Sequence, residues 1–312
     1  MRIGLTYDAV PEWAAVGLDA EALAEFDSEA TIAAIALFLV RRGHDVERIG
    51  RAQALVGRLA AGARWDIVFN ICEGRHGFAR EALVPALLEA WEIPVTFSDA
   101  VTCALTLHKG HTKRVIRDAG IATAPFVLLA DANGDLPLDC PVFVKPAGEG
   151  TGKGIGPASL CRTQAQARTR VADVIARFGP PALVESYLPG REFTVGVVGG
   201  AAVGVMEIQG ADIYGFEVKK YATTVRQRLV DYPAARDLAL AAWQVLGCRD
   251  GGRVDLRCDA CGRPMFLEAN PLPGLHPVDS DLTILVRLAG HDHDWLLDGI
   301  MRSACARAGL PW

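Results

Sequence analysis

Short apolar runs alternate with segments of helical spacing through the first third of the chain. "RIGLTYD" (2–8), "DVERIG" (45–50), "WDIVFNI" (65–71) and "IPVTF" (93–97) carry the β-like pattern, with helices opening near Ser28-Glu29 and running across 80–91. Strands separated by helices in this order predict a parallel sheet with crossover connections. A helical segment then covers about 99–119, followed by a strand "PFVLL" (125–129) and a polar linker rich in Asp, Gly and Pro at 131–141.

The rhythm changes at 142. Strands are predicted at 142–147, 154–160, 182–188, 191–199 and 201–209, with one helix over 163–178 behind an N-capping Thr163 and a hairpin turn at Gly199-Gly200. The final third reads as a helix at 234–247, two strands flanking "DACG", and helices at 280–289 and 294–308. Three units are therefore expected: an N-terminal α/β parallel-sheet domain (1–97), a central α+β lobe (98–181) and a C-terminal α+β lobe (182–312), the two lobes facing each other across a cleft.

Composition removes several function classes. A net charge of −5 over 312 residues, with arginines scattered singly or in pairs, argues against nucleic acid as a partner. The longest apolar stretch, "TIAAIALFLV" (31–40), falls well short of the roughly 20 residues that span a bilayer, and "MRIGLTYDAV" enters a strand pattern directly, so no membrane association and a cytoplasmic protein are expected. The eight cysteines read as free thiols. "CDAC" (258–261) has no second Cys or His pair to complete a zinc site and reads as a hairpin turn.

Three stretches carry chemistry. In "VFVKPAGEGTGKGIG" (142–156) a glycine recurs at every second position from Gly148 to Gly156, which on an extended chain would lay bare backbone along one face. The spacing is neither a Walker P-loop nor a dinucleotide fingerprint, which leaves a Gly-rich flap whose amides can approach polyphosphate. Only six lysines occur, at 109, 113, 145, 153, 219 and 220, against an arginine-rich background, so each is a candidate for a compact phosphate-binding charge. In "GGRVDLRCDACGRPMFLEANPLPGL" (251–275) a hairpin would bring Arg253 and Asp255 against Glu268 and Asn270. Hard oxygen donors of that kind suit Mg²⁺, which takes its remaining ligands from water and substrate phosphates. In "PALVESYLPGREFTVGVVGG" (181–200) a strand delivers Glu185 and a Pro-Gly turn precedes Glu192, an arrangement able to accept hydrogen bonds from an amino group and sugar hydroxyls.

Taken in this order, the stretches resemble the ATP-grasp superfamily, and within it the D-alanine–D-alanine ligase-like branch, from about residue 65 to 290. The resemblance implies an ATP-grasp fold and an ATP-dependent, ADP-forming carboxylate–amine ligase acting through an acyl phosphate, with ATP and two Mg²⁺ ions as cofactors and small amino-acid substrates. It places Lys109, Lys145 and Lys220 at the phosphates, Glu149, Gly150, Thr151 and Gly152 in the flap, Glu185 at the adenine amino group, the Tyr187 and Leu188 backbone at the hinge, and Glu192 at the ribose. It assigns Asp255, Glu268 and Asn270 to the metals, and catalytic roles to Arg253, Lys220 and Thr151. It is also compatible with a homodimer.

The match thins at the amino-acid side. The family's Gly-Gly-x-Ser-x-Glu turn is replaced by "LTYDAVPEWAAVGLDAEALAEFDSEATI", leaving Glu25, Glu29 and Glu73 as candidates for the contact to the first substrate. "EGRHGFARE" puts Glu73 where the family has histidine and Arg80-Glu81 near the family's acidic pair, and "NPLPGLHPVDSD" directs Gly274, His276, Asp279 and Ser280 toward the substrate end, together with Arg253. The altered clamp opens two expectations within one chemistry, D-alanine ligation or ligation of another amino acid or peptide. A nucleotide-binding module without catalysis would not need Asp255, Glu268 and Asn270 together. A nicotinamide oxidoreductase would need a glycine fingerprint after "RIGLTYD", which is absent.

Overall fold

The computed structural model describes residues 1–210, 213, 215 and 225–312. The first unit is a parallel sheet ordered β2-β1-β3, from β1 (Arg2–Tyr7), β2 (Asp45–Gly50) and β3 (Ile67–Ile71). Its helices are α1 (Val10–Ala14), α2 (Glu29–Arg41), α3 (Ala52–Ala60) and α4 (Leu83–Ala90). Ser28 starts α2 by accepting a hydrogen bond from the Thr31 amide at 3.2 Å. "IPVTF" does not form a full strand: it contacts β3 through a single bridge, Val68 to Val95. Pro94 has no amide to donate, and Phe97 turns the chain away at φ +67°.

The central lobe begins with two helices, α5 (Ala100–Leu107) and α6 (Lys109–Asp118), broken at His108 where one segment was expected. Its antiparallel sheet runs β4-β7-β5-β6, from β4 (Phe126–Leu129), β5 (Val142–Pro146), β6 (Leu160–Cys161) and β7 (Ala182–Ser186). α7 (Gln164–Phe178) covers it, capped by Thr163. A boundary at 182 would give β7 to the last lobe, but β7 pairs with β4 and β5, so the sheet continues through Ser186.

Among the described residues, the C-terminal lobe has the antiparallel sheet β10-β9-β8-β11-β12, from β8 (Glu192–Val198), β9 (Ala201–Gln209), β10 (Arg226–Val230), β11 (Gly251–Cys258) and β12 (Pro264–Asn270). Gly199 and Gly200 turn the β8–β9 hairpin with φ of +59° and +82°, both in the left-handed region such two-residue turns require. The helices are α8 (Pro233–Val245), α9 (Asp281–Leu288) and α10 (His293–Ala308). Leu296, Leu297, Ile300 and Met301 of α10 share one core with Ile3 and Leu5 of β1 and Ile35 and Leu39 of α2, so the end of the chain packs back on its beginning. The N-terminal and C-terminal units thereby share one core.

Candidate active site

A cleft of about 810 Å³ opens between the two antiparallel sheets, and Lys145, Glu185, Tyr187, Leu188, Glu192, Asp255 and Glu268 all face it. Glu185 lies at the end of β7, buried between two lysines: its carboxylate meets Lys145 Nζ at 2.6 Å and Lys113 Nζ at 2.9 Å. Burial alone would raise that carboxyl, but the two ammonium groups overcome it and hold it at about 2. Lys113 is fully buried and also donates to the Thr123 hydroxyl at 2.6 Å. A permanently ionised acceptor is thus built into the cleft wall beside a rigidly held ammonium.

The β11–β12 hairpin supplies the opposite wall. Its register sets Arg253 directly across from Asn270 and Asp255 across from Glu268, the pairing that strand periodicity predicts. The register then shifts at a bulge after Asp255, a distortion common beside active sites. Asp255 accepts from the Thr194 hydroxyl at 2.8 Å and the Asn270 amide at 3.3 Å, and pairs with Arg253, whose guanidinium is held protonated by its acidic neighbours despite burial. Glu268 meets Lys109 Nζ at 3.1 Å. Asp255, Glu268 and Asn270 form a compact oxygen-donor set whose charge is met by protein cations, and this donor chemistry fits Mg²⁺. Among the described residues no group of three or more His, Cys, Asp and Glu side chains is placed to hold a metal, so ions there would complete their shells with water and phosphate.

A second chamber of about 550 Å³ lies on the other side of this wall. Lys109, Arg253 and Glu268 face both spaces and separate them. The far side of the chamber comes from the N-terminal domain and the flap: Glu25, Glu73, Glu81, Gly150, Thr151 and Gly274 line it. Glu73 and Glu81 lie side by side. Burial, reinforced by its neighbour's charge and by Glu25, pushes the Glu73 carboxyl well above the usual range. Burial likewise brings Glu81 up to about 7, with Arg80 and Lys109 opposing and Glu25 adding to the rise.

The flap is not extended. Its glycines do not share one face, because Thr151, Gly152 and Gly154 take positive φ values of 52°, 72° and 66°, and consecutive turns close between Gly150 and Ile155. The coil rests on the N-terminal domain. Glu25 accepts from the Gly150 amide at 2.6 Å, meets Lys153 at 2.8 Å and meets Arg80 at 3.3 Å, while Arg80 donates to the Gly148 carbonyl at 2.8 Å. The ring of Phe78 covers Gly148 so closely that a Cβ there would lie 2.4 Å from it. Bare backbone is required because the flap is clamped from outside, over and above any approach to phosphate.

Several expected site residues stand elsewhere. Glu29 is a surface residue paired with Arg48 at 2.7 Å. Asp279 is 80% exposed and turned to the His276 ring at 3.4 Å; neither lines either cavity. Lys220 lies outside the described residues. Gly274, by contrast, faces the second chamber. Sequence reasoning did not assign Lys113, Arg80, Glu81, Lys153, Thr194 or Arg257. The scarcity of lysine pointed at Lys113 and Lys153, and strand alternation placed Arg257 on the face of Asp255; Arg80 and Glu81 stand in "EGRHGFARE" near the place of the family's acidic pair, with no role assigned to them.

The family model described as "D-ala D-ala ligase C-terminus" matches residues 115–302, more than half of the chain. A D-alanine–D-alanine ligase of Gluconobacter oxydans is 34% identical over 288 residues, covering 86% of this chain and 91% of that protein. One from Alcanivorax borkumensis is 33% identical, covering 78% of each. The solved D-alanine–D-alanine ligase of Bacillus anthracis complexed with ATP superposes with a TM-score of 0.76 over 99% of both chains at 20% identity, which establishes the shared ATP-grasp architecture. On this likeness of sequence and fold, the chain belongs to the D-alanine–D-alanine ligase family.

Proposed function

We propose that the protein is an ATP-dependent ligase that joins two amino-acid-like substrates through an acyl phosphate. One observation carries this reading: a nucleotide-sized cleft and an acid-lined chamber meet at a wall of Lys109, Arg253 and Glu268. A triphosphate in the first space and a carboxylate in the second would present their reacting atoms to the same two cations. The substrate carboxylate oxygen bonds to the γ-phosphorus as ADP leaves. An amine nitrogen then bonds to the acyl carbon as phosphate leaves, giving an amide.

Lys145 and Lys109 bind phosphate oxygens in this reading, with Glu185 holding Lys145 in place. Arg253 faces the negative charge that grows on the acyl oxygen, and such a donor typically contributes about 3 kcal/mol to the barrier. Asp255, Glu268 and Asn270 would hold Mg²⁺, which when bound neutralises and orients the phosphate oxygens. The latched flap keeps water from the acyl phosphate. Glu25 is committed to that latch, so the ammonium of the activated amino acid falls to Glu73 and Glu81, which share the chamber with Lys109 and make no ion pair with Arg or Lys among the described residues. Among the described residues no helix is long and apolar enough to cross a membrane, and the eight cysteines, six of them buried, are all unpaired. Both features support a cytoplasmic enzyme.

The test is a screen of amino-acid pairs, D-alanine with itself included, in the presence of Mg-ATP, reading ADP release and product mass. Amide formed in step with ADP supports the reading; ATP bound but never consumed with any pair would refute it.

A further inference from the structure

One buried lysine lines neither cavity and yet stands behind both walls of the nucleotide cleft. Lys113 lies one helical turn beyond Lys109 on α6; Lys109 faces both spaces, whereas Lys113 is fully buried and reaches neither. Three oxygens surround its Nζ: Glu185 Oε2 at 2.9 Å, the Thr123 hydroxyl at 2.6 Å and the Phe266 carbonyl at 3.3 Å. An ammonium carries three N–H donors and no acceptor, so this set of oxygens matches it. Thr123 also donates to the Phe266 carbonyl at 2.8 Å, and the Phe266 amide donates to the Ala122 carbonyl at 2.8 Å. Phe266 stands on β12 two residues before Glu268, so one ammonium ties the carboxylate at the end of β7 to the hairpin opposite.

The balance of charge gives this lysine a use. Glu185 meets Lys145 through Oε1 and Lys113 through Oε2, one carboxylate between two ammonium groups, which leaves one positive charge in excess. Of the two lysines only Lys145 faces the cleft. The neighbouring carboxylates have cations of their own: Glu268 meets Lys109 at 3.1 Å and Glu192 meets Arg257 at 3.0 Å. Without Lys113, Glu185 and Lys145 would close into a one-to-one pair. A phosphate would then compete with the carboxylate for the same ammonium.

We propose that Lys113 is a positioning residue for phosphate binding: it neutralises Glu185 from behind the wall, so that the charge of Lys145 acts on the nucleotide. Burial works against the charge on Lys113 and Glu185 works for it, so the ammonium and the carboxylate depend on each other. Because Lys113 touches no ligand, its whole effect passes through the competition between Glu185 and the phosphates for Lys145. This inference rests on the nucleotide reading of the cleft.

Calorimetry of Mg-ADP binding to the full chain tests it without knowledge of the amino-acid substrates. Lys113→Met should weaken Mg-ADP binding at least about fivefold, within the range of coupling between groups of one buried network. Glutamine at 185 competes far less for an ammonium, so adding Lys113→Met to Glu185→Gln should cost no more than about twofold relative to Glu185→Gln alone. A brace between α6 and β12 would cost the same in both backgrounds, so an equal loss in the two overturns the proposal. So does a Lys113→Met protein that binds Mg-ADP within about twofold of the wild type. No ADP binding by the wild type overturns the nucleotide reading and this inference with it. If the methionine variant does not fold, Lys113→Gln, which removes the charge but keeps an N–H donor for the Thr123 and Phe266 oxygens, is read in the same two comparisons.

Discussion

Replacing Glu25 by glutamine tests whether that residue holds the flap or the substrate. Its carboxylate is the counter-charge of two buried cations, Arg80 and Lys153, and the acceptor for the Gly150 amide. Burial opposes ionisation, yet these partners hold the carboxyl below its ordinary value. Removing one partner of a buried ion pair costs about 3–5 kcal/mol. Part of that is recovered here: Lys153 keeps Glu149 at 3.0 Å, Arg80 keeps the Gly148 carbonyl at 2.8 Å, and the flap can escape to water without unfolding the lobes. A net loss of about 2 kcal/mol in flap closure, or about thirtyfold in the open population, is expected.

Native-state trypsin cleavage after Lys153 reads that population directly, because the side chain is 8% exposed when the flap is down. Glu25→Gln should speed this cut about thirtyfold and raise ADP release that is not matched by amide, since the acyl phosphate then meets water. An unchanged cleavage rate combined with a raised KM for the activated amino acid would refute the latch and return Glu25 to the substrate.

Lys145→Ala and Glu268→Gln should each lower amide formation by about a hundredfold or more while leaving circular dichroism unchanged; turnover within tenfold of wild type would contradict their roles. Glu185→Gln strips the shared counter-charge from two buried lysines and should cost about 3 kcal/mol of stability in urea denaturation. The Glu185 carboxyl is held at about 2, so its contribution is present above the unfolded value and lost as pH falls through that window; the glutamine variant should lack this acid-sensitive step. Glu81 has the opposite sign. With its carboxyl raised to about 7, its contribution is complete below the unfolded value near 4.5 and lost as pH climbs to 7, so Glu81→Gln should reduce the fall in melting temperature between pH 5 and pH 8. An identical fall in the variant would show that the carboxyl does not titrate there.

The β11–β12 hairpin was legible because two strict rules act on it. Alternation sets which residues of a strand share a face, and a tight turn sets which residues of the partner lie opposite, so Arg253–Asn270 and Asp255–Glu268 follow from one short stretch, 253–270. The βαβ order, the caps at Ser28 and Thr163 and the Gly199-Gly200 hairpin were readable for the same reason: each is set by residues close in sequence. The flap misled the same reasoning. Regular glycine spacing suggests one bare face, but glycine tolerates either sign of φ, so its spacing does not fix a conformation. What decides the coil is Glu25, Phe78 and Arg80, more than sixty residues away.

The second chamber shows why the remainder was unreadable. Glu25, Glu73, Glu81, Gly150 and Gly274 come from four separated stretches, and a lone glutamate carries no local sign of whether it will meet a lysine, another carboxyl or solvent. Glu25 and Glu29 looked equivalent in sequence; one closes the flap and the other pairs with Arg48 on the surface. The same arrangement separates two kinds of constraint. Among the described residues lining the chamber, only Lys109, Arg253 and Glu268 also face the first cleft. On the proposed function, substitutions at Glu73 and Glu81 would change the second chamber while leaving the wall it shares with the first cleft unchanged, which would let a chain keep the hairpin and the lysines of its family while departing from it in the turn after β1 and in "EGRHGFARE".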